Sequence, residues 1–154
     1  CRRWLFRSAY AKWAGKRLPT AQEWDRIAMG RDGKPYPWGT QADKKRANTG
    51  EDYVAGDPTL GGEIDGFRGW SEVDKTPLDV AECGVKNLAG NVSEWTSTPG
   101  AEKLGLPTMV VKGGNFAGSM KTLKEKFPQP QLRDSAQLWL GFRCVSDKPP
   151  ATQK

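Results

Sequence analysis

Bulky and small residues recur at three- and four-residue spacing along the opening stretch, at Trp4, Leu5, Ser8, Ala9 and Lys12 to Trp13. That period predicts a helix, and Gly15 is its stop. A second helix is announced by Thr20 followed three residues later by Glu23, the pattern in which each caps the other's backbone amide. Trp24, Ile27 and Ala28 supply its buried stripe, and Gly30 ends it. From Arg31 to Val85 neither the helical nor the strand period holds. Asp32-Gly33, Pro35, Pro37-Trp38-Gly39, Gly56-Asp57-Pro58, Gly61-Gly62 and Asp65-Gly66 punctuate it with turn residues. So long an irregular stretch needs something to organise it. Bound ions and the aromatic residues Tyr36, Trp38, Tyr53, Phe67 and Trp70 are the candidates.

Beyond it the strand pattern returns. Asn87 to Thr96 runs from a turn into a strand. Met109 to Lys112 is a short strand ending in the Gly113-Gly114 pair. Leu140, Phe142 and Cys144 alternate in a last strand. Residues 1–146 read as one domain and 147–154 as a flexible tail. The chain begins inside the predicted helix, as the remainder of something longer would.

Composition narrows the chemistry. With 154 residues and 36% hydrophobic content, the core is lean. Seven tryptophans among eighteen glycines and eleven prolines suggest irregular backbone braced by large rings. Trp13, Trp24, Trp38, Trp95 and Trp139 are read as core anchors. There is no histidine, which excludes histidine bases and histidine-ligated zinc or iron within the chain. The net charge of +6 is scattered rather than gathered in a block, so no nucleic-acid partner is expected. No apolar run is long enough for a transmembrane segment. Cys1, Cys83 and Cys144 include no CxxC pair. Cys83 reads as a small buried hydrophobe.

The segments WAGKRLPTAQEWDRIA, PYPWG, RANTG, EIDGF, NLAGNVSEWTS, VVKGGNF and LGFRCV follow one another from Tyr10 to Val145. In this order they resemble the formylglycine-generating enzyme family, also called sulfatase-modifying factor domains. The resemblance implies an α+β fold of the C-type-lectin-like kind, loop-rich, with small antiparallel sheets and two helices. Family domains carry further polypeptide upstream, which supplies their first strands.

Calcium takes six to eight oxygens from carboxylates, amides and backbone carbonyls on irregular backbone. Asn48-Thr49 with Glu63 to Phe67, and Asn87 to Glu94, offer such groups, although Asn, Asp and Gly also make plain turns. The resemblance turns these loops into two calcium sites. One uses Asn48, the Thr49 carbonyl, Asp65 and the Phe67 carbonyl. The other uses Asn87, the Gly90 and Val92 carbonyls, and Glu94. Both carboxylates are thereby assigned to loops rather than to a glycosidase pair, and Arg143 reads as a structural ion-pairing residue.

The family's enzymes oxidise a substrate cysteine with oxygen, using copper(I) on two cysteines, the soft ligands that ion requires. At the two matching positions this chain has Gly118 and Leu123, and Asn115 follows the glycine pair. Neither side chain can hold copper. No catalytic residue is assigned, copper is not expected, and the copper oxidase activity is expected to be absent. The resemblance also implies a disulfide from a helix cysteine to Cys144. Cys1 is one candidate partner; the other alignment puts Ala11 there and leaves Cys144 free. The bridge would contribute about 3 to 5 kcal/mol and imply an extracytoplasmic compartment. The function expected is a non-catalytic, calcium-stabilised module that binds a protein or serves as a subunit of a larger assembly. The alternatives are part of a family enzyme whose catalytic residues lie outside this chain, or a carbohydrate- or ligand-binding lectin-like module.

Overall fold

The computed structural model describes residues 3–57, 59–120, 123 and 129–148; the side chains of Arg3 and Gln129 are not described. Helix α1 spans Arg3–Trp13 and α2 spans Ala21–Met29. Strands β1 (Ser93–Pro99), β2 (Thr108–Lys112), β3 (Gln129–Leu132) and β4 (Leu140–Phe142) form one sheet in the order β3-β2-β1-β4. The sheet is mixed, which corrects the antiparallel expectation. β2 runs antiparallel to both β1 and β3, but β4 runs parallel to β1, pairing Ser93 with Leu140 and Trp95 with Phe142. Between Trp95 and Pro99 the register of β1 slips. The Thr96 hydroxyl donates to the Val110 carbonyl there at 2.9 Å, holding the irregular stretch to its neighbour.

The α2 amino terminus forms as the sequence predicts. Thr20 accepts the Glu23 amide at 3.1 Å, and Glu23 accepts the Thr20 amide at 2.8 Å. Arg17 donates to both Glu23 oxygens, at 2.7 and 2.6 Å. First the Arg17 hydrogen bonds, then the Thr20 amide, hold the Glu23 carboxyl at about 2, against an ordinary value of 4.5. This depressed group stabilises the fold above pH 4.5 and ceases to do so as pH falls through 2. Glu23→Ala is expected to lower stability by about 1 kcal/mol at pH 7 through the lost cap. The ion pair, about 40% exposed on both sides, adds little. Thermal melts at pH 7 and pH 2 check this: the gap between the two proteins closes at pH 2.

Two apolar clusters build the core. Ala11, Leu18, Trp95, Met109, Val111 and Leu140 form one, with Trp4, Trp139 and Cys144 leaning on it. Trp24, Ala28, Met29, Ala81 and Leu88 form the other, under α2. Buried Lys112 ties β2 to α2 through Asp25 at 2.8 Å. Helix α1 departs from its expected stripe. It packs through Ala11 and Trp4, while Leu5, Ala9 and Trp13 face outward. Trp13 is 81% exposed and therefore no core anchor; Trp38 and Trp139 are only partly covered. Cys83 is exposed as well, not a buried hydrophobe.

Candidate cation site and the segment facing it

The irregular stretch is organised around two short parallel neighbours, Asn48 and Gly90. The Asn48 carbonyl accepts the Asn91 amide at 2.7 Å. The Asn91 side chain reaches back, accepting the Ser71 amide at 2.8 Å and the Asn48 side-chain amide at 3.3 Å. Asn87 and Asn91 adopt left-handed backbone, with φ of 56° and 57°. That conformation suits asparagine among the side-chain-bearing residues. The two loops assigned to cations are thus stitched together at their centre. Of the expected aromatic braces, Tyr36 is buried and stacks on Trp38, and Tyr53 meets Phe116 edge-on at 5.3 Å. Trp70 is exposed and braces nothing in the core.

At the first loop pair, Asn48 and Asp65 come together. Asp65 accepts the Thr49 amide at 2.7 Å and the Phe67 amide at 2.9 Å, so the carboxylate closes the loop from Thr49 to Phe67. Burial pushes the Asp65 carboxyl above the usual range, and the charge of Asp52 pushes it further. Asp52 accepts the Ile64 amide through one oxygen, at 2.8 Å. Its other oxygen is buried with no hydrogen-bonding partner, as are the side-chain oxygens of Asn48 and Thr49. Asn48 is 1% exposed. Orphaned buried oxygens are rare in folded proteins. The Asp65 carboxylate together with these three oxygens, one of them on Asp52, fits a hard divalent cation. The residues present therefore suit calcium, with Asn48 and Asp65 as its side-chain ligands and the Thr49 and Phe67 carbonyls beside them. Asp52 was not singled out in the sequence; its spacing four residues after Asn48 was the available signal.

At the second loop, Asn87, Gly90, Val92 and Glu94 line one cavity of about 250 Å³, together with Lys86 and Arg143. Arg143 binds both Glu94 oxygens, at 2.6 and 2.8 Å. It also donates to the Asn87 carbonyl at 2.5 Å and the Lys86 carbonyl at 3.2 Å. Trp24 donates to Glu94 at 2.7 Å. The Asn87 side-chain oxygen accepts from the Thr76 hydroxyl. The ion pair expected of Arg143 is present. Nearby Asp79 is wholly buried, with one oxygen accepting the Ala89 amide at 2.7 Å and the other without a partner.

The segment carrying Gly118 folds down onto residues 50 and 51. The Gly50 amide donates to the Gly118 carbonyl at 2.8 Å. Glu51 accepts the Ser119 hydroxyl at 2.9 Å and the Met120 amide at 2.8 Å. Lys44 pairs with its other oxygen at 2.9 Å. The Lys44 hydrogen bond, followed by the Met120 amide, lowers the Glu51 carboxyl to about 2. Asn115 donates to Ser93 at 3.2 Å, and Phe116 and Met120 are buried. Leu123 lies in a short helical turn, half-buried. Cys144 has no disulfide partner among the described residues; it is half-buried in the cluster that holds Ala11, and burial raises its pKa. Its candidate partner Cys1 lies outside the described residues. A larger cavity, about 870 Å³, runs along α2. Of the charged groups that line it, Arg17, Glu23, Asp25 and Asp147 are already paired.

Comparison with known proteins places these features. Residues 4–148 match the family model of the sulfatase-modifying factor enzyme 1-like domain. The inactive C-alpha-formylglycine-generating enzyme 2 of Mus musculus is 33% identical over 150 residues, covering 93% of this chain and 47% of that protein. The formylglycine-generating enzyme of Bos taurus is 32% identical over 166 residues, covering 97% and 44%. The structure of PvdO from Pseudomonas aeruginosa superposes with a TM-score of 0.68 at 18% identity, over 88% of this chain and 56% of that one. It shares the fold alone. The chain spans about half the length of the curated relatives it matches.

Proposed function

We propose that this chain, which belongs to the family of sulfatase-modifying factor enzyme 1-like domains, is a non-catalytic member that is stabilised by calcium and binds another stretch of polypeptide. One observation carries the reading. At the positions where the family resemblance implies copper ligands it has Gly118 and Leu123, and Gly118 to Met120 are pinned to Gly50 and Glu51 by backbone and carboxylate hydrogen bonds. Soft thiolates are what copper(I) requires, and neither side chain can supply one. Similarity to an inactive mammalian relative at 33% identity supports the same conclusion. The purified chain is expected to bind copper(I) no more tightly than a Gly118/Leu123-independent background, and to consume no oxygen with a cysteine-bearing peptide. Oxygen uptake coupled to loss of the peptide thiol would overturn the reading in favour of a catalytic one. The fitness of the Asn48–Asp65 loop for a hard cation supports the calcium part.

The binding surface we assign is the outer face of α1. Phe6, Tyr10 and Trp13 recur at helical spacing on it, and they are 66%, 52% and 81% exposed. Tyr10 touches Trp13 and Phe142, with ring centroids 5.7 Å apart in both pairs. Phe6, Tyr10 and Phe142 line a hollow of about 340 Å³ with Arg7. A contiguous aromatic face marks a surface that something covers. The occupant we assign is the portion of a family domain that the longer relatives possess beyond their match to this chain. Lys12, exposed on the same helix, favours acidic residues at its rim. Radical footprinting of the isolated chain and of its assembly with that portion is the check. Phe6 and Trp13 lose most of their labelling in the assembly; equal labelling in both would remove the assignment. Binding at such a face is compatible with an extracytoplasmic or an internal location alike, and the extracytoplasmic expectation rests on the disulfide reading.

A further inference from the structure

The two loops assigned to cations differ in one respect: one of them already contains a positive charge. Calcium needs six to eight oxygens with free lone pairs directed at one point. At Asn87 to Glu94 the side-chain oxygens of Asn87 and Glu94 and the Asn87 carbonyl are already engaged. Both Glu94 oxygens and the Asn87 carbonyl receive hydrogen bonds from a single guanidinium, at 2.6, 2.8 and 2.5 Å. A second bond from Trp24 falls on Glu94, and the Asn87 side-chain oxygen faces Thr76. An arginine is always charged and presents its donors in a fixed fork. It cannot release a proton to make way for a metal, and a divalent ion beside it would be repelled. The Asn48–Asp65 loop differs in its charge. There the buried oxygens of Asn48, Thr49 and Asp52 lack partners, and the Asp65 oxygens accept neutral backbone amides, from Thr49 and Phe67, rather than a guanidinium.

We infer that the Arg143 guanidinium takes the place of the second cation at Asn87, Gly90, Val92 and Glu94, so that the chain holds one calcium, at Asn48 and Asp65. The inference rests on the calcium reading of that first loop, and the test separates the two. The chain is stripped with a chelator. Calcium chloride is then titrated by calorimetry, and bound ions are counted by native mass spectrometry. One calcium per chain is expected. Asp65→Asn reduces the count to none, whereas Glu94→Gln leaves it at one, with affinity changed less than about threefold. Arg143→Met uncovers the second set of oxygens and raises the count to two. If that variant does not fold, the wild-type count together with the Asp65 and Glu94 variants still decides. Two ions in the wild type would overturn the inference while leaving the calcium reading intact. One ion that survives Asp65→Asn and is lost in Glu94→Gln would place the metal at the second loop and overturn it also. No ion in any variant would remove both readings.

Discussion

Replacing Gly90 with alanine is expected to cost about 3 kcal/mol or more, a large share of the stability of an ordinary domain. Gly90 has φ of +70°, and a Cβ there would overlap the Asn48 carbonyl oxygen and crowd its carbon. That carbonyl is not free to move. It accepts the Asn91 amide, and the Gly90 amide in turn donates to Gly113 at 2.6 Å. To admit a methyl group the Asn48 and Gly90 strips must part. That exposes Asn48, loosens the loop closed by Asp65, and disturbs the turn leading into β1. Gly105→Ala is the control. Its φ is +71°, but nothing lies within 4 Å of a Cβ there, so it registers the conformational strain alone, about 1 kcal/mol. Urea unfolding of both variants measures the difference. Equal losses would mean that Gly90 is required for its backbone angle and not for its contact with Asn48.

Asp79 is expected to make the fold weaker as pH rises. Burial pushes its carboxyl up to about 7, and Glu94 adds to this; the Ala89 amide and the charge of Arg143 oppose it. The group's ordinary value is 3.8. A carboxyl raised on folding binds its proton more tightly in the folded state. The stability this gives is present below pH 3.8 and is lost progressively up to pH 7, where the buried charge must be carried. The loss is on the order of a few kcal/mol. Asp79→Asn keeps an oxygen for the Ala89 amide and removes the charge. Its stability relative to wild type is therefore expected to rise between pH 5 and pH 8, by roughly 2 kcal/mol or more. Denaturant unfolding at the two pH values checks this. A difference between the two proteins that is the same at both pH values would show that Asp79 is already ionised in the folded chain at pH 5.

Both effects belong to contacts between loops that are far apart in the chain, and this separates what could be read from what could not. The α2 helix was legible because its signals are local. Thr20 and Glu23 are three residues apart, and their mutual capping needs no partner from elsewhere. The strands at Trp95 and Val111 were legible from their aromatic and β-branched residues. The candidate ligand sets came from the family resemblance; the structure joins Thr49 to Asp65 by a hydrogen bond and Asn87 to Glu94 through Arg143. The weak points were equally physical. Periodicity cannot say which side of α1 meets the core, because bulky residues lie on both. Packing against Trp95 selected Ala11, whose small side chain allows close approach, and turned Phe6, Tyr10 and Trp13 outward. The parallel placement of β4 depends on a long connection returning to the far edge of β1, and no short-range pattern encodes that. β3, with Pro130 in its centre, lacked a strand signal altogether and forms by pairing with β2.

From the sequence alone come the family motifs, the capped helix, and Gly118 and Leu123 at the positions where the family resemblance implies copper ligands; each depends on residue identity or close spacing. The tertiary structure decided which oxygens are left without partners and which are already held. Arg143 stands 49 residues from Glu94 in the chain, and only the folding of β4 beside β1 brings its charge into the second loop. Charge and burial at a site are sums over everything that packs around it, and those neighbours are chosen by the fold.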